Sequence, residues 1–306
     1  MVCKQCSIKP VIQLSNSPVS LCKQCFFQYF EKKVFKTISK HNLIEVDERI
    51  GVAVSGGKDS FSALYLVQRY LSRRKNFSIV VIAIDEGISS YRDLSFLEKY
   101  CSEEGLELHV VSFESVFGFT LDEALSKHNI KPCTLCCVLR RYLLNRTAQK
   151  LKLDKLITGH NLDDEAQSVL MNQFKGNLYM SARLGPLTGV IRNDKFIRRA
   201  KPLYFLSEKE TATYAFLRGF PIPSGECPNY TNSFRNDVRN LLNNLESSYP
   251  GTKHAVINSF LLQLPILKDR YRNEQVQVCT YCGEVCSGPV CKACELLERI
   301  RPKRLN

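Results

Sequence analysis

No stretch of this chain is apolar for long. The longest uninterrupted aliphatic run, Ile79 to Ile84, falls far short of the ~20 residues that span a bilayer. The start, MVCKQC, has neither the basic opening nor the apolar run of ~7–15 residues that a secretory leader requires. Both absences lead to the expectation of a cytoplasmic protein with no membrane partner. Acidic residues are in short supply, since 30 Asp and Glu stand against 43 Lys and Arg, a net charge of +13. That surplus points to a polyanionic partner, nucleic acid before anionic membrane. Long internal repeats and low-complexity tails are missing too. With 44% hydrophobic and 24% charged residues, wholesale disorder is excluded. At 306 residues the chain has room for about two units of ~150 residues and needs no disulfides to fold.

What is abundant is cysteine, 14 in all, and in a reducing compartment paired cysteines are metal ligands or redox groups more often than disulfides. Cys3-x2-Cys6, fifteen residues, then Cys22-x2-Cys25 is one set of four; Cys279-x2-Cys282, eight residues, then Cys291-x2-Cys294 is a second. Two residues between thiolates let a turn bring both onto one ion, and four thiolates close a tetrahedral zinc shell with no position left for substrate. Two structural Zn2+ ions are therefore expected, with free thiols on short turns as the plain alternative. Cys133-x2-Cys136 has no second pair nearby. Its neighbours are Cys137, about 100° further round a helix, and the distant Cys227. Three thiolates on a four-iron cluster leave one iron open, as a catalytic metal needs. A redox pair forming a catalytic disulfide or persulfide and a third zinc site are the competing readings. Cys101, alone on a helix, reads as a small buried apolar residue, and Cys286 as a spare.

Between the two sets of four, strand and helix patterns alternate. After an amphipathic helix from Cys25 to His41, strands are expected at Arg49–Ser55, Ser78–Asp85, Leu106–Phe113 and Asp154–Thr158. Helices are expected at Asp59–Leu71, Leu94–Glu104, Leu121–His128, Cys136–Lys152 and Asp163 to about Phe174. Such alternation implies an α/β, doubly wound parallel sheet, with ligands at the carboxyl ends of its strands. Past Gly176 the pattern weakens into a basic stretch holding Arg183, Arg192, Lys195, Arg198, Arg199 and Lys201. Helices follow at about Glu208–Arg218, Phe234–Glu246 and Thr252–Tyr271.

Ser55-Gly56-Gly57-Lys58-Asp59-Ser60 sits where the first strand of the sheet ends and a helix begins. Two glycines let the backbone approach a ligand, the helix start offers N–H groups to phosphate, and Lys58 adds a charge. It is not the longer GxxxxGK[ST] loop. A second junction, Thr158-Gly159-His160-Asn161-Leu162-Asp163-Asp164, follows the fourth strand. There Asp163 or Asp164 is suited to cap the helix, and a carboxylate from this pair, or Asp59, to hold Mg2+ on phosphates. Ile82 and Ile84 share one face of the second strand and are candidates, beside Ala53, for the adenine contact.

SGGKDS and TGHNLDD resemble the nucleotide motifs of the PP-loop ATP pyrophosphatase superfamily, whose members cleave ATP between its α- and β-phosphates to adenylate a carbonyl oxygen. The full order is a four-cysteine site, SGGKDS, CxxC followed by Val138-Leu139-Arg140-Arg141, TGHNLDDEA, a lone Cys-Pro and a second four-cysteine site. It resembles the tRNA uridine 2-thiolation enzymes of the TtuA/TtcA superfamily, in the two-zinc-finger branch shared with archaeal and eukaryotic wobble-uridine thiolases. The resemblance implies a PP-loop, HUP-type Rossmann-like core flanked by zinc-finger segments, divided as 1–40, 41–205, 206–272 and 273–306. It implies a [4Fe-4S] cluster on Cys133, Cys136 and Cys227, and a basic active-site residue at Arg140. Cys137 departs from the small residue often found there. The implied reaction has two steps. ATP with magnesium is attacked at its α-phosphorus by the C2 oxygen of a tRNA uridine and pyrophosphate leaves; hydrosulfide held at the open iron then attacks C2 and AMP departs. The sulfur donor implied is a ubiquitin-like carrier thiocarboxylate, or sulfide or a persulfide, and a homodimer is common in the family. Lys32, Lys33, Lys36, the 183–201 stretch and the tail Arg299, Arg301, Lys303 and Arg304 are candidates to track the RNA backbone. The target is either the wobble uridine or a T-loop uridine. Two alternatives are an amine-using ligase like lysidine synthase, which needs no cysteine triad, and a non-catalytic zinc-finger RNA scaffold, which an intact SGGKDS argues against.

Overall fold

The computed structural model describes residues 2–72, 74, 77–89, 91, 93–190, 196–220, 227–229, 233–273 and 277–300. It opens with a small hairpin, β1 (Ile12–Gln13) and β2 (Ser20–Leu21), and helix α1 (Lys23–Lys40). Next come β3 (Arg49–Ala53), α2 (Lys58–Leu71), β4 (Ser78–Asp85), α3 (Ser95–Glu103), β5 (Glu107–Ser112), α4 (Phe113–Phe117), α5 (Leu121–Lys127) and α6 (Pro132–Lys150). The chain continues through β6 (Lys155–Ile157), α7 (Leu162–Phe174), α8 (Leu178–Ala182), β7 (Arg198–Ala200), α9 (Glu208–Arg218), α10 (Phe234–Ser248) and α11 (Thr252–Arg270). A second hairpin, β8 (Gln277–Val278) and β9 (Val285–Cys286), and α12 (Lys292–Ile300) complete it.

β3 to β7 form one five-stranded sheet, every neighbouring pair parallel, in the order β5-β4-β3-β6-β7. The expected doubly wound sheet is thus present, with one strand more than expected. Arg198–Ala200 lies in the basic stretch, and it is β7, paired to Lys155–Ile157. Strand order reverses between β3 and β6, and that switch point is where such sheets bind ligands. The two-residue period of a strand sorts β4 onto two cores. Val81 and Ala83 join α1, α2, α3 and α9 on one face. Val80, Ile82 and Ile84 join α4, α5, α6 and α12 on the other. Each of these Val and Ile side chains, fully buried, contributes about 1.5–3 kcal/mol. A third cluster ties α7 to α10 and α11 through Leu162, Val169, Val238, Leu242, Ile257 and Phe260. No helix among the described residues is long and apolar enough to cross a membrane.

Helix α6 begins at Pro132, four residues ahead of the expected start at Cys136. Proline at a first helical position lacks only an N–H that would go unpaired anyway, and its fixed φ suits the turn. Cys133 and Cys136 therefore sit three apart on one side of the opening turns.

Candidate active site and metal centres

The phosphate loop closes on itself through Ser60. Its hydroxyl donates to the Gly57 carbonyl at 2.9 Å and accepts the Ser55 backbone N–H at 3.1 Å, with Ser55 Oγ at 3.2 Å. Gly56 adopts φ +77°, open to glycine at little cost. The second junction is pressed against the first. A Cβ added to Gly159 would stand 2.5 Å from Ser60 N and 2.7 Å from Asp59 C, atoms of the backbone that cannot swing aside. The two loops at the β3–β6 switch point are in this way one unit.

Lys58 Nζ lies 3.0 Å from Asp59 and 3.4 Å from Glu208. Burial disfavours its charge, but these two carboxylates more than offset that and leave its pKa above the usual value. Asn161 caps α7, its side chain accepting from Asp164 N–H at 3.1 Å, while Asp164 returns the contact to the Asn161 N–H at 3.3 Å. The expectation that an aspartate fills the cap position is corrected, because the cap is Asn161 and Asp164 is its partner three residues on. Asp163 turns the other way. One of its oxygens accepts the Glu208 N–H at 2.8 Å and the other is paired with Lys253. Four carboxylates line a cleft of about 310 Å³, Asp59, Asp163, Asp164 and Glu208, with Asn161, Gln167, Arg235 and Arg239. With Asp163 held by Lys253 and the Glu208 N–H, and Glu208 facing Lys58, Asp59 and Asp164 are the two best placed for a cation. Burial raises both of their pKa values. Lys58 opposes this at Asp59 and Arg235 at Asp164, and each feels a neighbouring carboxylate. Two half-shielded carboxylates in one polar cleft are the donor set a hard divalent cation takes.

On α6, the Cys136 thiol is buried and accepts from Arg140 Nη2 at 3.0 Å, one turn further on. Burial pushes that thiol up to about 11, with Arg140 pulling it down. Arg140 Nε is 2.6 Å from Glu86, which is 1% exposed and follows the carboxyl end of β4. Cys133 and Cys137 are exposed and Cys227 is half-buried. Asn229, two residues on, donates to Asp122 at 3.1 Å, and Asp122 also accepts the Ser89 N–H at 2.8 Å, which brings the Cys227 segment to the loop after β4. Ser224 to Glu226 lie outside the described residues. Cys133, Cys136 and Cys227 do not converge to the 4.8 Å that marks the two tetrads, a spacing that suits a single ion and not a four-iron cube. Ile82 and Ile84 pack in the core beneath α6 with Leu135 and Leu139, and Ala53 borders that cluster.

Both tetrads are assembled. In each, the four Sγ atoms lie within 4.8 Å of one another, so they fit one tetrahedral ion. The backbone N–H groups of Cys22, Gln5 and Cys6 point at Cys3 and, against its burial, bring it down to about 6. Burial opposes ionisation of Cys279, but N–H groups of Cys291, Cys282 and Tyr281 outweigh it and bring that thiol also to about 6. Each ribbon grips the core: Ser15 Oγ meets Ser207 Oγ at 2.9 Å, and Asn145 of α6 donates to Glu284 at 2.5 Å. Cys286 donates to the Gly288 carbonyl at 2.9 Å and stands outside its tetrad. Cys101 is buried in the main core, its thiol raised to about 11 by burial.

Of the basic candidates, Lys32 and Lys36 line an open cleft of about 840 Å³ with Phe27, Phe35, Arg69 and Arg218. One reading is corrected. Lys201 is 4% exposed and paired with Glu165 at 2.7 Å, so it is a structural cation and not a backbone contact, whereas Lys33, half-buried, donates to Tyr29 Oη at 2.9 Å. Arg192, Lys195, Arg301, Lys303 and Arg304 lie outside the described residues. Sequence reasoning missed Glu86 and Arg235. A carboxylate just past a strand's carboxyl end was a usable signal for Glu86; Arg235, on a helix 71 residues from Asp164, offered none.

The PP-loop domain matches residues 28–246. The chain is 35% identical over 318 residues to the tRNA 2-thiolation protein NcsA of Haloferax volcanii, covering 98% of this chain and 99% of that one. It is 34% identical over 297 residues to the tRNA-5-methyluridine(54) 2-sulfurtransferase of Pyrococcus horikoshii, covering 96% and 93%. Among solved structures, the U34-tRNA thiolase NcsA from Methanococcus maripaludis with its [4Fe-4S] cluster superposes with a TM-score of 0.83 at 31% identity, covering 99% of this chain and 97% of that one. The sheet, the paired loops and these matches place the chain in the PP-loop family, among the tRNA 2-thiolation proteins.

Proposed function

We propose that this chain is an ATP-dependent tRNA uridine 2-sulfurtransferase. The observation that carries the reading is the meeting of two chemistries at one end of the sheet. A phosphate loop, locked to its partner loop at Gly159, shares that end with a buried cysteine held by Arg140. In the first step the C2 oxygen of uridine bonds to the α-phosphorus of ATP, and the bond to the β-phosphate oxygen breaks. Ser55, Gly56, Gly57, Lys58 and Ser60 hold the departing pyrophosphate, with Lys58 exchanging Asp59 and Glu208 for phosphate oxygens. Asp59 and Asp164 would hold Mg2+, which would screen the phosphates, while Asp163 anchors the loop to α9 and α11. Gly159 lets the nucleotide sit close, and the adenine contact falls to the end of β3 and β4, where Ala53, Ile82 and Ile84 are the candidates. In the second step sulfide bonds to C2, the C2–O bond breaks and AMP leaves, with Arg140 neutralising its phosphate.

The donor chemistry of Cys133, Cys136 and Cys227 fits a [4Fe-4S] cluster with three protein thiolates, whose fourth iron supplies a sulfur-binding position. The tetrads fit Zn2+. Sulfur reaches the site from a carrier thiocarboxylate, as sulfide, or from a persulfide whose outer sulfur a reducing thiol releases as sulfide while forming a disulfide, and the chain works as a homodimer in the cytoplasm, where these thiols stay reduced. Residues 206–272 act as the extension that delivers Cys227. Anaerobic incubation with tRNA, ATP, magnesium, sulfide and reconstituted cluster should give 2-thiouridine with AMP and pyrophosphate in equal amounts. Mapping the thiolated nucleoside separates position 34 from position 54. Iron and acid-labile sulfide analysis separates thiolation from an amine ligase, and undiminished 2-thiouridine from Cys133→Ala would sink the cluster assignment.

A further inference from the structure

The carboxyl ends of β6 and β7 carry positive charge that nearby carboxylates leave unmatched. Lys201 is balanced by Glu165, and Arg235 by Ser168 Oγ at 2.9 Å and the Asp164 carboxylate at 4.0 Å. Arg141, Arg183 and Arg199 have no such balance: among the described residues none of the three lies within ion-pair distance of a carboxylate. They come from three separate elements. Arg141 follows Arg140 on α6, turned about 100° from it, while Arg140 is engaged with Cys136 and Glu86. Arg183 directly follows α8. Arg199 lies in β7, and its backbone is fixed to the same loop that carries Arg183. The Arg199 N–H donates to Thr188 Oγ1 at 2.8 Å, the Thr188 N–H returns to the Arg199 carbonyl at 3.0 Å, and the Gly189 N–H donates to the Arg183 carbonyl at 3.0 Å.

Arg199 feels the other two charges. Burial, then Arg141, then Arg183 depress Arg199 to about 10. Burial together with Lys201, Arg199 and Arg141 holds His160, in the loop before α7, well below its ordinary pKa and so neutral. A half-buried guanidinium set among other cations on a braced backbone has the charge and the fixed geometry that suit an anion. The phosphates of ATP have their own loop at the end of β3. β7 is two strands away, roughly 10 Å at ~4.8 Å per strand, with the β6 loop between.

We propose that Arg141, Arg183 and Arg199 form a clamp for a phosphodiester of the tRNA beside the target uridine, fixing the backbone while the base turns in between the phosphate loop and Cys136. This rests on the thiolation reading for the identity of the ligand, though not for the existence of an anion site. A base taken from its stack must have its flanking phosphate held, and planar guanidinium groups suit a phosphate's paired oxygens.

The test compares wild type with Arg199→Gln and, as a second variant on a more peripheral residue, Arg183→Gln. Binding of a tRNA transcript is measured against salt, ATP binding by calorimetry, and melting with and without inorganic phosphate. The clamp requires about tenfold weaker tRNA binding and a salt slope reduced by roughly one per variant. It also requires unchanged ATP binding, and a phosphate-induced rise in melting temperature present in wild type and lost in Arg199→Gln. Unaltered tRNA affinity and slope in both variants overturn it, as does equal loss of ATP binding. If phosphate stabilises wild type through Arg199 while no 2-thiouridine forms, the thiolation reading falls and the anion site stands.

Discussion

Arg140 Nη2 stands 3.0 Å from the sulfur of Cys136 while its Nε faces Glu86 at 2.6 Å. One guanidinium thus serves a nucleophile's neighbourhood on one edge and a buried carboxylate on the other. Arg140→Met removes the cation paired with Glu86, which is 1% exposed, and should cost about 3 kcal/mol of stability by urea denaturation. The double variant Arg140→Met with Glu86→Gln should recover most of that stability and none of the thiolation. Recovery of both would show that Arg140 is purely structural.

Gly159→Ala sets a methyl group against the backbone of Ser60 and Asp59. Its φ is ordinary, so the loss comes from contact alone and not from backbone strain. ATP affinity should drop at least about tenfold, with a lower melting temperature. An unchanged calorimetric titration would mean that the two loops move independently.

Asp59 and Asp164 are raised above ordinary carboxylates chiefly by burial. Each keeps a proton to higher pH than usual, and a divalent cation must displace it. Magnesium-dependent nucleotide binding should therefore tighten as pH rises through and above the ordinary carboxylate range. It should release protons, seen as a dependence of the measured heat on buffer ionisation enthalpy. In Asp164→Asn the proton release should shrink.

Backbone N–H groups draw the thiols of Cys3 and Cys279 down, while burial raises those of Cys25 and Cys294 in the same tetrads. Protons compete with the metal for all four sulfurs of each tetrad, so metal retention on stepwise dialysis should fall as pH is lowered. Two zinc ions per chain are expected near neutrality, one in Cys3→Ser and one in Cys279→Ser. Full metal content in either variant would contradict the assignment of its tetrad.

The parts legible in the sequence were those whose chemistry is local. The thiolate pairs, SGGKDS and the buried strands each declare themselves within a few residues, and all three were placed where the structure has them. What escaped depends on distant partners. Asp163 looks like a helix cap beside Asp164 until Lys253 and the Glu208 N–H claim it. Lys201 looks like one more surface cation until Glu165 meets it in the core. β7 is three residues long and reads Arg-Arg-Ala, so no apolar period marks it, and its strand character comes from pairing with β6 and from the antiparallel bridge of Ala200 to Leu187.

Asn145 lies on the helix that opens with Cys133 and Cys136, and its amide is spent at both ends, on Glu284 of the second ribbon and on the Ile197 N–H just before β7. The carboxy-terminal tetrad is therefore a buttress. If its ion is stripped, the helix that presents the cysteines and the strand that presents Arg199 lose a shared brace. A chelator acting on a site that touches no substrate would then be felt 139 residues away in sequence, as poorer registry between sulfur and tRNA.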